Sequence, residues 1–372
     1  MSWKKFKIPI AKPIVTSEDI DLVIEALSGG NLSSGEYVEM FEKEFAQYVR
    51  CKYAVAVNSG TAALEVALKA LEIKPGDEVI VPSFTIAATA NVVVLLGAKP
   101  VFAEVEAETY NLDPKSVKQS ITNKTRGIMP IHYAGQCAEM DEINEIAKDN
   151  SLFVVEDAAP AAGALYKGRK AGTLGYAAGF SFFPDKNMTT GEGGMLTTDD
   201  KDVAEKARYL RKHGAPTRYY NVDIGWNYKM PDFCAALGLS QLRRLEEVIQ
   251  RKNQLAKIYE EKLGQIPEIT TPMVKKYNRH TFTLYAIRVT SNRIRENIRI
   301  HLESRGIETR INFPPVHLQP IYQSIFGFKR GFLPRTEEIS DTIISLPIFP
   351  SMSEAESDLI VKSIKNAMKL IS

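Results

Sequence analysis

The chain has 372 residues, of which 44% are apolar and 25% charged, values typical of a globular protein with about two domains. Its 47 basic and 45 acidic residues leave a net charge of +2, which gives no argument for binding nucleic acid or a membrane surface. The three cysteines are far apart and form no CxxC pair, so neither a disulfide framework nor a zinc site is expected.

The chain ends and the apolar runs favour a cytoplasmic protein. The N-terminus is basic but has no long apolar core and no small-residue cleavage site, so we expect no signal peptide. No stretch approaches the ~18 uninterrupted apolar residues of a membrane-spanning helix. The spacing of the five histidines does not match a metal site, and we assign no metal.

Taken in order, residues 1–160 alternate short apolar runs with helical patterns. Residues 16–28 begin with a capping box and place Ile20, Val23, Ile24 and Leu27 on one helical face. Helices are then predicted at 37–49, after the NSGT turn at 58–61, and at 85–96, 114–121 and 139–149. Strands are predicted at 53–57, 78–81, 99–104, 126–131 and 152–156.

This alternation predicts a parallel sheet with helices on both faces. Ligands of such sheets lie outside the carboxyl ends of the strands. Ser59, Phe84, His132 and Asp157 each follow or end a different predicted strand. We therefore expect the four residues to lie at one edge of the sheet.

The second half of the chain changes in character. A helix is predicted at 202–213, a loop rich in Gly, Pro and aromatic residues at 214–233, and one long helix at 235–263. Beyond these, β-prone runs at 284–289, 307–311 and 344–349 and helices at 293–305 and 353–370 predict a smaller α+β domain. We predict a large domain at 1–250 and a C-terminal domain at 251–372.

A single lysine stands between two predicted strands in the stretch FSFFPDKNMTTGEGGMLTTDD, residues 180–200. Lys186 follows an apolar run and precedes a glycine-rich turn, which places it at the rim of a sheet. A lysine amine is the usual group for an imine with a carbonyl cofactor. From this stretch alone, a surface lysine in a hairpin is an equally good interpretation.

The remaining residues of the predicted edge complete a set that pyridoxal phosphate (PLP) requires. Ser59, Gly60 and Thr61 open a helix whose N-terminus favours a phosphate, although Ser59 could simply be a helix cap. Asp157 could pair with the pyridine nitrogen and keep it protonated, or could cap a helix. Phe84 could stack on the ring or belong to the core.

At this point the sequence resembles the DegT/DnrJ/EryC1/StrS family of PLP-dependent sugar aminotransferases. The resemblance covers nearly the whole chain and is carried by VNSGTAALEVAL, KPGDEVIVPSFTIAATAN, IHYAGQCAEMDEI, VVEDAAPAAGA, FSFFPDKNMTTGEGG, IGWNYKMPDFCAALGLSQL and FPPVHLQP. It implies an α/β PLP-dependent transferase fold of type I, with a large domain built on a mostly parallel central sheet and a smaller α+β domain. It also implies a homodimer with shared active sites, and transfer of an amino group, usually from glutamate, to a 3-keto or 4-keto group of a nucleotide-linked sugar.

The resemblance assigns roles to residues that match the family's motifs. Lys186 matches the Schiff-base lysine, which also shuttles a proton, and Asp157 matches the partner of the pyridine nitrogen. Gly60 and Thr61 match the phosphate turn, and Ser181 matches a phosphate-binding hydroxyl. Phe84 matches the aromatic ring over the cofactor, and Asn227 matches an asparagine that reaches the phosphate from the neighbouring subunit.

The chain departs from the family at Pro160, where glutamine or histidine is usual, and at Gly35-Glu36, where Gly-Pro is frequent. A proline donates no hydrogen bond, so the tuning of the cofactor and the sugar preference are open. Tyr133 and His317 lie in blocks near the family's sugar site and are candidate substrate contacts, with structural roles as the alternative.

Two other functions remain open at this stage. Members of this superfamily with histidine in place of the lysine are dehydratases that remove a sugar hydroxyl, but this chain keeps Lys186. A non-enzymatic PLP-binding regulator is the other alternative, and no basic helix suggests a DNA-binding module. A dinucleotide-binding oxidoreductase would need a G-x-G-x-x-G turn, which VNSGTAA is not.

Overall fold

The computed structural model describes residues 6–369. Its helices are α1 Ser17–Ser28, α2 Glu36–Val49, α3 Gly60–Ala70, α4 Ala88–Leu95, α5 Pro114–Gln119, α6 Met140–Asp149, α7 Lys201–Leu210, α8 Asp232–Arg243, α9 Leu245–Leu263, α10 Asn292–Ser304, α11 Pro320–Phe326, α12 Pro334–Thr342 and α13 Glu354–Lys369. Its strands are β1 Tyr53–Val57, β2 Glu78–Pro82, β3 Lys99–Ala103, β4 Thr125–Ile128, β5 Phe153–Asp157, β6 Leu165–Tyr166, β7 Arg169–Lys170, β8 Ala177–Ser181, β9 Gly194–Thr198, β10 Ile269–Thr270, β11 Asn278–Arg279, β12 Tyr285–Val289 and β13 Ile343–Leu346.

A seven-stranded sheet in the order β1-β9-β8-β5-β4-β2-β3 forms the centre of the fold. Strands β3, β2, β4, β5 and β8 are joined by parallel pairings, and β9 is antiparallel to both of its neighbours. The carboxyl ends of six strands therefore lie at one edge. This confirms the α/β fold with a mostly parallel sheet that the sequence predicts.

The central strands are buried on both faces, which explains their apolar sequences. Residues Glu78–Pro82 of β2 and Gly194–Thr198 of β9 are buried along their whole length. Helices cover both faces, because a parallel strand must return through a crossover that packs on the sheet. The amphipathic patterns of α2 and α7 bury Phe41, Phe45 and Leu210 against it.

A second sheet, β10-β12-β13, is antiparallel and packs with α10 and α13, which confirms an α+β unit in the C-terminal part. The predicted strand at 307–311 is wrong. Ile307 and Arg310 make only single bridges, to Ile8 and Ser345, so this segment links the N-terminal segment to β13 without forming a ladder. The predicted end of the last helix at Leu370 lies outside the described residues.

The long predicted helix at 235–263 is wrong in one respect: it is two helices, α8 and α9, that meet at Arg244. The guanidinium of Arg244 binds the buried carboxylate of Asp19 and the carbonyl of Ile14, which anchors the junction to α1 and the segment before it. The predicted domain boundary at 250/251 falls inside α9 and stays a prediction.

Several further features differ from the sequence-based expectation. Helix α4 begins at Ala88 rather than Thr85, and α11, α12 and the small sheet β11-β6-β7 were not predicted. Helix α1 forms as expected with its Thr16–Asp19 capping box, but it buries Asp19 and Ala26. Its apolar residues Ile20 and Ile24 are 50% and 54% exposed, so the apolar face is uncovered in the single chain.

Between residues 6 and 369, none of the helices is long and apolar enough to cross a membrane. Within the same range, no group of three or more His, Cys, Asp and Glu side chains is placed to hold a metal ion.

Candidate active site

The carboxyl edge of the central sheet gathers the residues that the strand pattern points to. Ser59 follows β1, Phe84 follows β2, Asp157 ends β5 and Ser181 ends β8. Pairing of Ile131 with Asp157 extends the register of β4 and β5, so His132 also lies at this edge. The parallel topology thus brings together residues far apart in the sequence.

The turn at Ser59–Thr61 presents two backbone donors. The hydroxyl of Ser59 accepts the N–H of Ala62 at 3.1 Å, and its carbonyl accepts the N–H of Ala63 at 3.1 Å. The first N–H groups of a helix have no acceptor within the helix. Among residues 6–369, the N–H groups of Gly60 and Thr61 are therefore left for a ligand at the positive end of α3.

Gly60 packs directly against Ser181, which fixes the shape of this turn. A Cβ atom on Gly60 would lie 2.7 Å from the Cβ of Ser181 and 3.2 Å from its Oγ. No side chain fits there without movement, so glycine allows the end of β8 to lie against the start of α3. The arrangement brings the hydroxyl of Ser181 beside two free N–H groups, which suits a phosphate.

Asp157 is buried at the end of β5 with few partners. Its Oδ2 accepts the hydroxyl of Thr89 at 2.7 Å, and its Oδ1 accepts the N–H of Ala159 at 3.2 Å. Burial raises the pKa of Asp157, although these hydrogen bonds and the positive charge of Lys186 act in the opposite direction. A cationic ring nitrogen beside this carboxylate would offset its desolvation.

Lys186 lies in the turn between β8 and β9, with its side chain 22% exposed. Its Nζ is 3.0 Å from Oδ1 of Asp185, whose Oδ2 is 3.6 Å from Arg310 of the 305–313 segment. The charge of Lys186 also acts on Asp157, so the amine is within electrostatic range of that carboxylate. A lysine, a buried carboxylate and an anion turn at one edge fit PLP.

His132 and Glu156 form a buried, hydrogen-bonded pair near this edge. Nε2 of His132 donates to Glu156 at 2.8 Å, because Nδ1 already accepts the N–H of Ala138. Glu156 also accepts the N–H groups of Gly172, Leu174 and Gly175. All these polar atoms are satisfied within the chain, which indicates a structural role for the pair.

Phe84 and Tyr133 lie in one aromatic cluster. Their ring centroids are 5.1 Å apart, and Phe84 also contacts Tyr110 and Phe313. The hydroxyl of Tyr133 donates to the carbonyl of Asn312 at 2.8 Å. Both residues are buried, and their contacts within the chain account for their burial. The cofactor contact of Phe84 and the substrate contact of Tyr133 stay predictions.

His317 is completely buried below the same edge. Its Nδ1 is 2.7 Å from the hydroxyl of Ser83, and its Nε2 is 3.1 Å from Glu337. Burial lowers the pKa of the imidazole. With both ring nitrogens occupied, the geometry favours a structural link between β2 and α12, and a substrate contact of His317 stays a prediction.

Asn227 lies in the loop between α7 and α8 and is exposed. Its neighbour Tyr228 accepts the N–H of Asn58 at 2.9 Å, next to the anion turn, and stacks on Trp226. The same loop exposes Tyr219 by 86% and Ile224 by 85%. The structure thus places Asn227 on an outward-facing surface of the single chain.

Sequence reasoning missed the residues that support the edge. Thr89 holds Asp157, Asn187 binds the buried Lys252, and the carbonyl of Pro160 accepts the hydroxyl of Thr283 at 2.5 Å. Thr89 lies within α4 and contacts a residue 68 positions away, so no local pattern identifies its role. The other contacts join segments more than 60 residues apart.

Comparison with known proteins agrees with this geometry. The sequence model described as the DegT/DnrJ/EryC1/StrS aminotransferase family matches residues 13–365. The spore coat polysaccharide biosynthesis protein SpsC of Bacillus subtilis is 41% identical, with 97% of each chain covered. GDP-perosamine synthase of Caulobacter vibrioides is 39% identical over 97% of this chain and 98% of its own.

Among solved structures, the PLP form of Spr1654 from Streptococcus pneumoniae superposes with a TM-score of 0.94 at 29% identity, with 98% of this chain and 99% of that chain covered. The agreement therefore extends over both the central sheet and the C-terminal α+β part. The protein belongs to the DegT/DnrJ/EryC1/StrS aminotransferase family.

Proposed function

We propose that the protein transfers an amino group, with glutamate as the donor, to a 3-keto or 4-keto group of a nucleotide-linked sugar used in polysaccharide or glycoconjugate synthesis. The observation that carries the proposal is the meeting of Lys186, Asp157 and the Ser59–Thr61 turn at one sheet edge. The names of the relatives support a sugar substrate, since one is a GDP-perosamine synthase and another serves spore coat polysaccharide synthesis.

In this proposal PLP supplies an electron sink that stabilises negative charge on the carbon that loses a proton. Asp157 holds the pyridine nitrogen in its protonated form, and Thr89 orients the carboxylate. The N–H groups of Gly60 and Thr61 and the hydroxyl of Ser181 bind the phosphate. Phe84 lies along the same edge, where its ring would limit the cofactor's movement.

Lys186 has two tasks in this scheme. Its Nζ would hold the cofactor between turnovers and, when free, would carry a proton between the two carbon atoms that exchange it. The amine must be uncharged to accept that proton. Retention of this lysine favours amino transfer over the dehydration carried out by relatives with histidine at this position.

We also propose a homodimer in which the loop at 214–231 completes the neighbouring active site through Asn227. The exposure of Tyr219 and Ile224, together with the uncovered apolar face of α1, supports a protein partner for this surface. Arg218 is exposed and Lys229 is partly exposed in the same loop, and in this proposal they bind the phosphates of the nucleotide.

The first experiment is an absorbance spectrum of the purified protein with PLP, before and after addition of glutamate. We expect a visible band from lysine-bound cofactor, which glutamate replaces by a near-ultraviolet band. A panel of 3-keto and 4-keto nucleotide sugars then identifies the acceptor by mass spectrometry of the amino product. Lys186→Ala is the control and should give neither the visible band nor the product.

Three outcomes would contradict the proposal. Absence of a visible band after PLP is supplied would exclude an aminotransferase and favour a non-enzymatic function. A band that does not respond to glutamate would exclude this donor. A product that has lost a hydroxyl and gained no nitrogen would identify a dehydratase.

A further inference from the structure

Lys252 is a buried lysine that forms no salt bridge within the part of the chain that the structure describes. It lies on α9 with 2% exposure, and its Nζ donates to Oδ1 of Asn187 at 2.8 Å. Within residues 6–369 its ammonium forms no salt bridge to a carboxylate. Lysines are almost never buried unless they are paired, so its position requires an explanation.

The partner of Lys252 is the residue next to the catalytic lysine. The side chain of Asn187 also donates through Nδ2 to the carbonyl of Thr281 at 2.9 Å. Asn187 therefore joins the turn that carries Lys186 to α9 on one side and to the 280–283 segment on the other. This segment also binds the carbonyl of Pro160, three residues after Asp157. One hydrogen-bond network therefore connects the turn that carries Lys186 with the segment that follows Asp157.

Lys252 and Lys186 line a single small cavity. The charged groups around it come from the N-terminal segment, the β8–β9 turn and the start of α9: Lys12, Asp185, Lys186, Arg244 and Lys252. Arg244 is already paired with Asp19. Asp185 lies between Lys186 and Arg310, so one carboxylate is shared among several positive charges.

The charged groups around the cavity act on the amine of Lys252. Burial lowers the pKa of Lys252 to about 7, with the negative charge of Asp185 opposing this shift and the positive charge of Lys186 adding to it. The positive charge of Lys186 therefore disfavours a proton on Lys252. Near neutral pH, Lys252 can gain or lose its proton while remaining bound to Asn187.

We propose that Lys252 is a positioning residue of the active site, which fixes the Lys186 turn through Asn187 and adjusts the charge state of Lys186 through its own protonation. The inference rests on the proposed function, because amino transfer requires that the amine of Lys186 become uncharged. It adds a second lysine to the chemistry of the site without placing that lysine in contact with substrate.

The test uses the PLP-loaded protein and two substitutions with opposite effects. Lys252→Met removes the charge and the donors at similar length, whereas Lys252→Arg keeps a positive charge at every accessible pH. Lys257→Met, on an exposed side of α9, is the matched control. The measurement is the pH midpoint at which the visible band changes, together with the pH dependence of the single-turnover rate with glutamate.

We expect Lys252→Met to raise the midpoint by about one pH unit, because loss of a neighbouring positive charge favours the protonated form. Lys252→Arg should lower it and remove the dependence of the rate on pH near neutrality. Lys257→Met should match the wild type. If the methionine variant does not bind PLP, the midpoint and pH profile of the arginine variant alone test the inference.

Wild-type midpoints and pH profiles in both Lys252 variants would overturn the inference, even if their melting temperatures fell, since a purely structural lysine would act in that way. The midpoint requires bound PLP but no sugar acceptor. Failure of the sugar transfer would therefore leave this test valid, whereas absence of any visible band in the wild type would overturn both proposals.

Discussion

Two consecutive carboxylates of β5, Glu156 and Asp157, lie on opposite faces of the central sheet and differ in how they are satisfied. Glu156 accepts four hydrogen bonds, three from backbone N–H groups and one from His132, at 2.7–2.8 Å. Asp157 accepts one backbone N–H, at 3.2 Å, and one hydroxyl. Both side chains are buried.

The difference fits a structural role for Glu156 and the proposed cofactor-binding role for Asp157. The chain itself supplies four hydrogen-bond donors to the side chain of Glu156. It leaves Asp157 short of donors, and burial raises the pKa of that carboxyl. A buried carboxyl with few hydrogen-bond donors and a shifted pKa is a common feature of binding sites. The comparison can be tested by exchanging each carboxylate for its amide.

The largest effect is expected for Asp157→Asn in the PLP-loaded protein. An amide cannot offer a negative charge to the ring nitrogen, so the single-turnover rate with glutamate should fall about a thousandfold, on the order of 4 kcal/mol. Stopped-flow absorbance measures this rate. An unchanged rate would mean that Asp157 does not act on the cofactor and would remove the distinction between the two carboxylates.

A smaller effect, on stability and not on rate, is expected for Glu156→Gln. The amide has one acceptor oxygen and turns an NH₂ group toward backbone donors, so the free energy of unfolding should fall by about 3 kcal/mol. Urea denaturation measures this loss, with Asp157→Asn as the control that should not show it. Loss of the glutamate half-reaction at unchanged stability would instead place Glu156 in the active site.

The smallest effect is expected on the pH dependence of the folding stability of the cofactor-free protein. Because the folded-state pKa of Asp157 is raised above its ordinary value of 3.8, the folded chain holds this proton more tightly than the unfolded chain. The stabilisation that this proton contributes is complete below pH 3.8 and is lost as the pH rises through the folded-state pKa of Asp157.

The Asp157→Asn variant should therefore gain stability relative to the wild type as the pH rises above 4. Denaturation curves at several pH values, with PLP absent, measure the difference. A difference that is constant with pH would show that burial does not disfavour the charged form of Asp157. Added PLP should reverse the order, since the cofactor stabilises the wild-type carboxylate.

Much of the fold could be predicted because local patterns carry it. Short apolar runs between amphipathic stretches gave the order of strands and helices, and the rule for parallel sheets placed Asp157 and Ser59 at one edge. The errors arose where tertiary contacts prevail over local preference. The helix at 235–263 breaks at Arg244, which a remote carboxylate on α1 anchors, and the apolar face of α1 is not the face that it buries in this chain.

The sequence by itself determined the chemistry available to this protein: one lysine in a glycine-rich turn, a Ser-Gly-Thr helix start and an acidic strand end, each defined by neighbouring residues. The tertiary structure decided which of two adjacent carboxylates receives fewer hydrogen-bond donors, and that Lys252 lines the same cavity as Lys186. Hydrogen bonds and burial depend on segments more than 60 residues apart, such as Asn187 with Lys252 and Asp157 with Thr89. Such pairings leave no periodic pattern in the sequence, so they can be identified only in the folded structure.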